Sequence, residues 1–162
     1  PRGGEGGGIS GAPIVERMGE LTSLNGGPLG YCAWRENTQD QVNTFADATD
    51  DHQRIHIAPD RAATGPFGTP IAHGFLTLSL IVPMWSEILH FDGVKLAINY
   101  GLNKVRFTSP VPVGSRIRAG ATLVSVDTAA DGSIAVTVAF VIEREGGEKP
   151  CCIAQGLYRF YV

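Results

Sequence analysis

The chain has 162 residues, enough for one domain of ordinary size and short of two. Thirteen Lys plus Arg against 16 Asp plus Glu leave a net charge of -3, which argues against a nucleic-acid or anionic-membrane partner. Charged residues make up only 18% of the chain against a usual ~25%, so part of the surface is expected to lie against a partner chain.

Six of the first 11 residues are glycine, and 1–28 reads as a flexible lead plus a short helix. That helix is expected over 13–24, with Pro13 at its first position and Ile14, Val15, Met18 and Leu21 on one side. Asn25-Gly26-Gly27-Pro28 ends it, and a single folded domain is expected over 29–162. Leu29 to Trp34 reads as a short strand. Thr38-Gln39-Asp40-Gln41 is a capping box opening a helix over 38–48, with Val42, Phe45 and Ala46 inward.

Residues 49–70 are rich in loop formers. Residues 62–86 carry no Asp, Glu, Lys or Arg, but the dense apolar part, Phe75 to Trp85, is 11 residues long. That is too short for the ~20 that a bilayer requires, so a buried helix over 73–89 is expected, kinked near Ser79 by Pro83. Its apolar residues occupy nearly every side, and Phe75 and Trp85 read as core.

The rest alternates. Val94, Leu96, Ile98, Tyr100 and Leu102 share one parity and Val105 and Phe107 the other, which predicts a bulge near Gly101–Asn103. Further strands are expected over 116–126, 134–142 and 151–161, with turns at Asp131-Gly132 and Gly146-Gly147. Helices first and antiparallel strands after make an α+β fold with segregated layers. Lys104, Arg106, Arg116 and Arg118 read as a solvated basic face on successive strands, with phosphate binding as the sharper alternative. Cys32, Cys151 and Cys152 suit neither a disulfide framework nor a zinc site, and read as small residues in a reduced compartment. No secretory pattern opens the chain, so the cytoplasm is expected.

The chemistry concentrates between Asp47 and His73, which hold three of the four histidines. Asp51 and His56 would stand about 140° apart on a helix, so they meet only across an irregular segment. A carboxylate and an imidazole around one water form a general acid/base pair near neutral pH. Taken alone, they read as well as a turn-capping Asp and a satisfied His. Gly74 falls at the expected start of the buried helix, where free N–H groups can receive negative charge on a carbonyl oxygen. Without other information it is a packing glycine. His73 beside it reads as a cap or packing residue.

The stretch from Phe45 to His56, with Asp50-Asp51-His52-Gln53-Arg54-Ile55-His56, and the later Ile71-Ala72-His73-Gly74 resemble the MaoC-like dehydratases, which include the (R)-specific enoyl-CoA hydratases. That motif runs Gly-Asp-x-Asn-Pro-(Leu/Ile)-His, with a His-Gly about 18 residues after its histidine. Asn99 to Phe107 adds to the likeness, which covers roughly 29–160. The resemblance implies a hot-dog fold: a curved antiparallel sheet wrapped around a long buried central helix, in a homodimer. It implies a hydro-lyase that interconverts trans-2-enoyl and (R)-3-hydroxyacyl thioesters. Asp51 and His56 then match the catalytic pair, and Gly74 with His73 the oxyanion and substrate-binding end. No metal or redox cofactor is implied; coenzyme A or a carrier arm enters as part of the acyl thioester substrate. Asp50, Gln53 and Arg54 depart from the motif's Gly, Asn and Pro. A hot-dog thioesterase and a non-catalytic acyl-thioester binding module are the competing readings.

Overall fold

A computed structural model describes residues 14–15, 21, 24 and 26–162. The first two strands are β1 (Ile14–Val15) and β2 (Pro28–Tyr31), followed by β3 (Arg35–Glu36). Five short helices come next: α1 (Gln39–Thr49), α2 (Arg54–Ile57), α3 (Pro59–Ala62), α4 (Gly74–Ser79) and α5 (Ile81–Ile88). The chain ends in β4 (His90–Phe91), β5 (Leu96–Arg106), β6 (Arg116–Thr128), β7 (Ile134–Arg144) and β8 (Cys152–Tyr161).

The main sheet has six strands in the order β2-β6-β7-β8-β5, with β3 also paired to β6, and all its pairings are antiparallel. Alternation sets its faces. Ile117, Ala119, Ala121 and Leu123 of β6, Val136, Val138, Phe140 and Ile142 of β7, and Ala154, Tyr158 and Phe160 of β8 are buried on one side. The α4–α5 segment packs against that side. Trp85 meets Phe140 edge-on at 5.6 Å and stacks on Tyr158 at 6.0 Å, so Trp85 is core as expected. A helical segment laid on one face of an open antiparallel sheet is the hot-dog arrangement.

The expected kink is present. The helical segment divides at Leu80, where ψ relaxes to -11°, because Pro83 has no N–H to return to Ser79. The helix is not buried all round, however. Phe75 is 68% exposed and Val82 54%, and with Ser79 and Ser86 they form an open stripe at helical spacing. Phe75 is therefore not a core residue in this chain.

At the front of the domain, Thr38 caps α1 by accepting the Gln41 N–H at 3.2 Å, while Val42 and Ala46 point inward. The expected 13–24 helix lies largely outside the described residues. Within it, Ile14–Val15 is extended, parallel to β4, and Leu21 is helical and fully buried. β5 carries two irregularities, between Asn99 and Gly101 and between Asn103 and Arg106. It is the outer strand of the sheet, bonded on one side to β8, and nearly every residue along it is exposed. β5 and β6 lie at opposite edges with β7 and β8 between them, so Lys104 and Arg106 form no cluster with Arg116 and Arg118. The latter two are engaged by Glu145 and Glu143 on β7 and the turn after it.

Candidate active site

Asp50 closes α1 in the left-handed conformation, φ 56°, with its side chain in solvent. A motif glycine at this position is explained by that φ, and Asp is among the few side chains that tolerate it. The turn delivers Asp51, whose N–H returns to Ala46 O at 3.1 Å, and residues 51–53 are irregular before α2 begins. That break is what the Asp51–His56 spacing demanded.

His56 lies on α2 and is buried. Its Nδ1 lies 2.6 Å from the carbonyl oxygen of Ile71, which can only accept, so Nδ1 carries the proton. The Nε2 lone pair of the neutral ring is left free. Burial pushes the His56 pKa below its ordinary value, opposed by the Ile71 bond; nearby His73 lowers it further and Asp51 raises it. His73 donates from Nε2 to the backbone carbonyl of Asp51 at 2.9 Å and stands 4.0 Å from an Asp51 carboxylate oxygen. It tilts against Phe45 and stacks on His56. One ligating atom from each of Asp51, His56 and His73 lies within 4.8 Å of those of the other two. Tetrahedral zinc at ~2.1 Å ligand distances needs donors about 3.4 Å apart, so these groups would have to close up to hold such an ion.

Gly74 opens α4 directly after His73, and its N–H is in the first turn, where no intrahelical acceptor exists. A Cβ there would stand 3.0–3.1 Å from the Phe107 ring, so any larger residue would have to push that ring aside. His56, Gly74 and Thr77 line one cavity of about 370 Å³, together with Phe67, Phe107 and Ser109. Cys151 also lines it, and burial raises its thiol pKa. The neighbouring Cys152 is pushed up to about 11, also by burial, so these thiols behave as small neutral groups. Asp51 is half-buried and is not part of the cavity wall. His52 sits outside the site: its Nε2 meets Asp47 at 2.9 Å in solvent, and that bond raises its pKa. Phe107 and Ser109 were not singled out as site residues from the sequence. Only their place at the end of a long strand, ahead of Pro110, could have indicated them.

The model of the MaoC like domain matches residues 21–145. This chain belongs to the MaoC-like family. A 3-hydroxyacyl-thioester dehydratase Z from Mycobacterium tuberculosis is 51% identical over 145 residues, covering 90% of this chain and 96% of the relative. Nodulation protein N of Rhizobium meliloti is 44% identical, covering 85% and 86%. Among solved structures of this fold, the monoamine oxidase regulatory protein from Archaeoglobus fulgius superposes with a TM-score of 0.72 at 27% identity, covering 92% of this chain and 95% of the other. An (R)-hydratase from A. caviae involved in PHA biosynthesis superposes with a TM-score of 0.66 at 23% identity over 80% and 92%, a likeness of fold. Asp51, His56, His73 and Gly74, the four residues to which the sequence resemblance points, are drawn to one end of the α4–α5 segment.

Proposed function

We propose that the chain is a hydro-lyase that interconverts a trans-2-enoyl thioester and an (R)-3-hydroxyacyl thioester. One observation carries this: His56, with an unprotonated Nε2, and Gly74, with a free first-turn N–H, face the same cavity. The dehydratase name of the 51% identical relative supports the same reaction class.

In the hydration direction the Gly74 N–H donates to the thioester carbonyl oxygen. Charge drawn to that oxygen leaves C3 electrophilic. A separation within 4.8 Å between Asp51 and His56 is spanned by one water hydrogen-bonded to both at about 2.8 Å. His56 Nε2 takes a proton from that water as its oxygen attacks C3, and the proton so held by the His56–Asp51 pair is passed to C2, which regenerates the pair. The neutral, Nδ1-protonated ring suits the base role, while Asp51 orients the water and shares the proton. Thr77, Phe107 and Ser109 line the chamber that receives the acyl end. The reaction adds water across C2=C3, forming a C3–O and a C2–H bond with no net oxidation or reduction, so it has no step for a redox cofactor.

A homodimer fits the exposed apolar side chains of β5 and the open stripe on α4–α5, and a reducing cytoplasm fits three buried, unpaired cysteines. The deciding experiment is turnover of crotonyl-CoA, followed by loss of its enoyl absorbance with chiral analysis of the product. We expect (R)-3-hydroxybutyryl-CoA, and a loss of at least ~10²-fold in kcat for both Asp51→Asn and His56→Ala. Release of free thiol instead would identify a thioesterase, and tight binding without turnover a binding module.

A further inference from the structure

A second cavity, of about 470 Å³, adjoins the catalytic one, and Phe67 forms part of the wall of both. Its polar lining differs in kind. Arg54 from α2 and Arg61 from α3 both line it, with Thr64 and Thr69 on the following loop. Among the described residues neither arginine has a carboxylate within 4.0 Å, whereas Arg35, Arg116, Arg118 and Arg159 are each paired with an acid. The Thr64 hydroxyl is committed to Arg61 O at 3.1 Å, so the guanidinium groups and Thr69 are the donors left to a ligand.

We propose that this Arg54–Arg61 cavity binds the phosphate carried at the far end of the substrate's pantetheine arm. The inference rests on the hydro-lyase reading and names the handle by which that site holds its thioester. Two guanidinium forks without acidic partners match phosphate oxygens, the group for which planar, bidentate donors are best suited. The shared Phe67 wall places this charge beside the chamber that receives the acyl group. The alternatives elsewhere are poorer: Arg116 and Arg118 are neutralised by glutamates, and His52 lies between Asp47 and Asp50, which repel an anion. Arg54 also stands where the MaoC-like motif has proline, so the loop does not need this side chain for its shape.

Two sources supply such a phosphate: the nucleotide end of coenzyme A, and the phosphodiester joining the arm to a carrier protein. The test compares three thioesters of one enoyl group, carried on coenzyme A, on an acyl-carrier protein and on N-acetylcysteamine, which has no phosphate. The variants are Arg54→Pro, which keeps α2 because proline is accepted at a first helical position, Arg61→Ala, their double, and Arg54→Lys as the conservative change. For the double variant we expect KM for the phosphate-bearing thioester to rise about tenfold with kcat held, Arg54→Lys recovering part of the loss, and the N-acetylcysteamine thioester to be affected less than twofold. Added salt raises the wild-type KM and moves the variant less. A rise confined to coenzyme A identifies the nucleotide phosphates; a rise for both carriers identifies the phosphate adjoining the pantetheine. Equal losses on all three thioesters, or none on any, overturn the proposal. Calorimetric titration of coenzyme A alone onto wild type and double variant keeps the question open to an answer without turnover. A tenfold weaker titration supports the site even should the hydro-lyase reading fail, and equal affinities overturn it.

Discussion

His56 and His73 stack face to face, with ring centroids 3.9 Å apart and 28° between their planes. Each donates from one ring nitrogen to a backbone carbonyl, His56 Nδ1 to Ile71 and His73 Nε2 to Asp51. Burial and the adjacent His73 ring together hold the His56 pKa below its ordinary value. The two carbonyls fix which ring nitrogen of each histidine donates. The α2 histidine is thereby tied to the strand end before the helix entrance, and the turn bearing Asp51 to the residue before Gly74.

A pH dependence follows. In the proposed mechanism hydration needs neutral His56, whose pKa is held below its ordinary ~6.5 by burial. kcat/KM is expected to be level through neutrality and to fall on the acid side, at a pH below 6.5. Stability has the same sign. Below about 6.5 the unfolded chain binds a proton at this histidine that the folded chain still refuses, so stability is lost as pH falls through that window. Comparing Tm at pH 7.5 and 5.5 in wild type and His56→Gln isolates this: the wild type should lose more than the variant.

Gly74 and Phe107 form a coupled pair. A methyl at Gly74 would press on three Phe107 ring atoms at 3.0–3.1 Å. Gly74→Ala is expected to lower kcat by about 10- to 10²-fold, since a displaced N–H no longer meets the oxyanion. Phe107→Leu, placed in the same chain, makes room and should return part of that loss. A double-mutant cycle on kcat measures the coupling, and strict additivity would show that Phe107 is not the wall that matters.

Much of this was legible in the sequence, and the failures share a cause. Thr38 as a cap, the break before Pro83, the β6–β8 hairpins and the Asp51–His56 segment are decided locally, within a few residues. Phe75 and β5 are not. Their apolar pattern reads as core, yet Phe75 is exposed and β5 is an outer strand, because no element among the described residues packs over them. Strand order was equally hidden, which is why Arg116 and Arg118 were grouped with Lys104 and Arg106 instead of with Glu145 and Glu143. Phe107 and Ser109 reach the cavity only through the path of the chain after β5, and their local sequence carries no mark of it.

Asp50 tests how far the departures from the motif matter. Its φ of 56° is comfortable for glycine and tolerable for Asp, and its side chain is 99% exposed. Asp50→Gly should leave turnover intact and change stability by no more than about 0.5 kcal/mol, because the gain in backbone comfort is offset by a floppier unfolded chain. Asp50→Val should cost about 1–2 kcal/mol and reduce kcat, since a branched side chain strains this conformation and shifts Asp51. Urea titration reads the first quantity and crotonyl-CoA turnover the second.

The outer strand gives the last prediction. Along β5, Leu96, Ile98, Tyr100 and Leu102 are exposed, Tyr100 by 66%, and Val82 faces out on the helical segment nearby. An unpaired strand edge with apolar side chains invites another chain, and proteins that leave such an edge uncovered usually guard it with charge. Here the guard is missing: among Leu96 to Leu102 no residue is charged, and Lys104 and Arg106 come only at its end. The homodimer reading therefore predicts a dimer by light scattering at micromolar concentration. Ile98→Lys with Leu102→Lys should convert it to a monomer of unchanged circular dichroism, because among the described residues nothing covers either side chain. A monomeric wild type, or a doubly charged variant that remains dimeric, would move the interface away from β5.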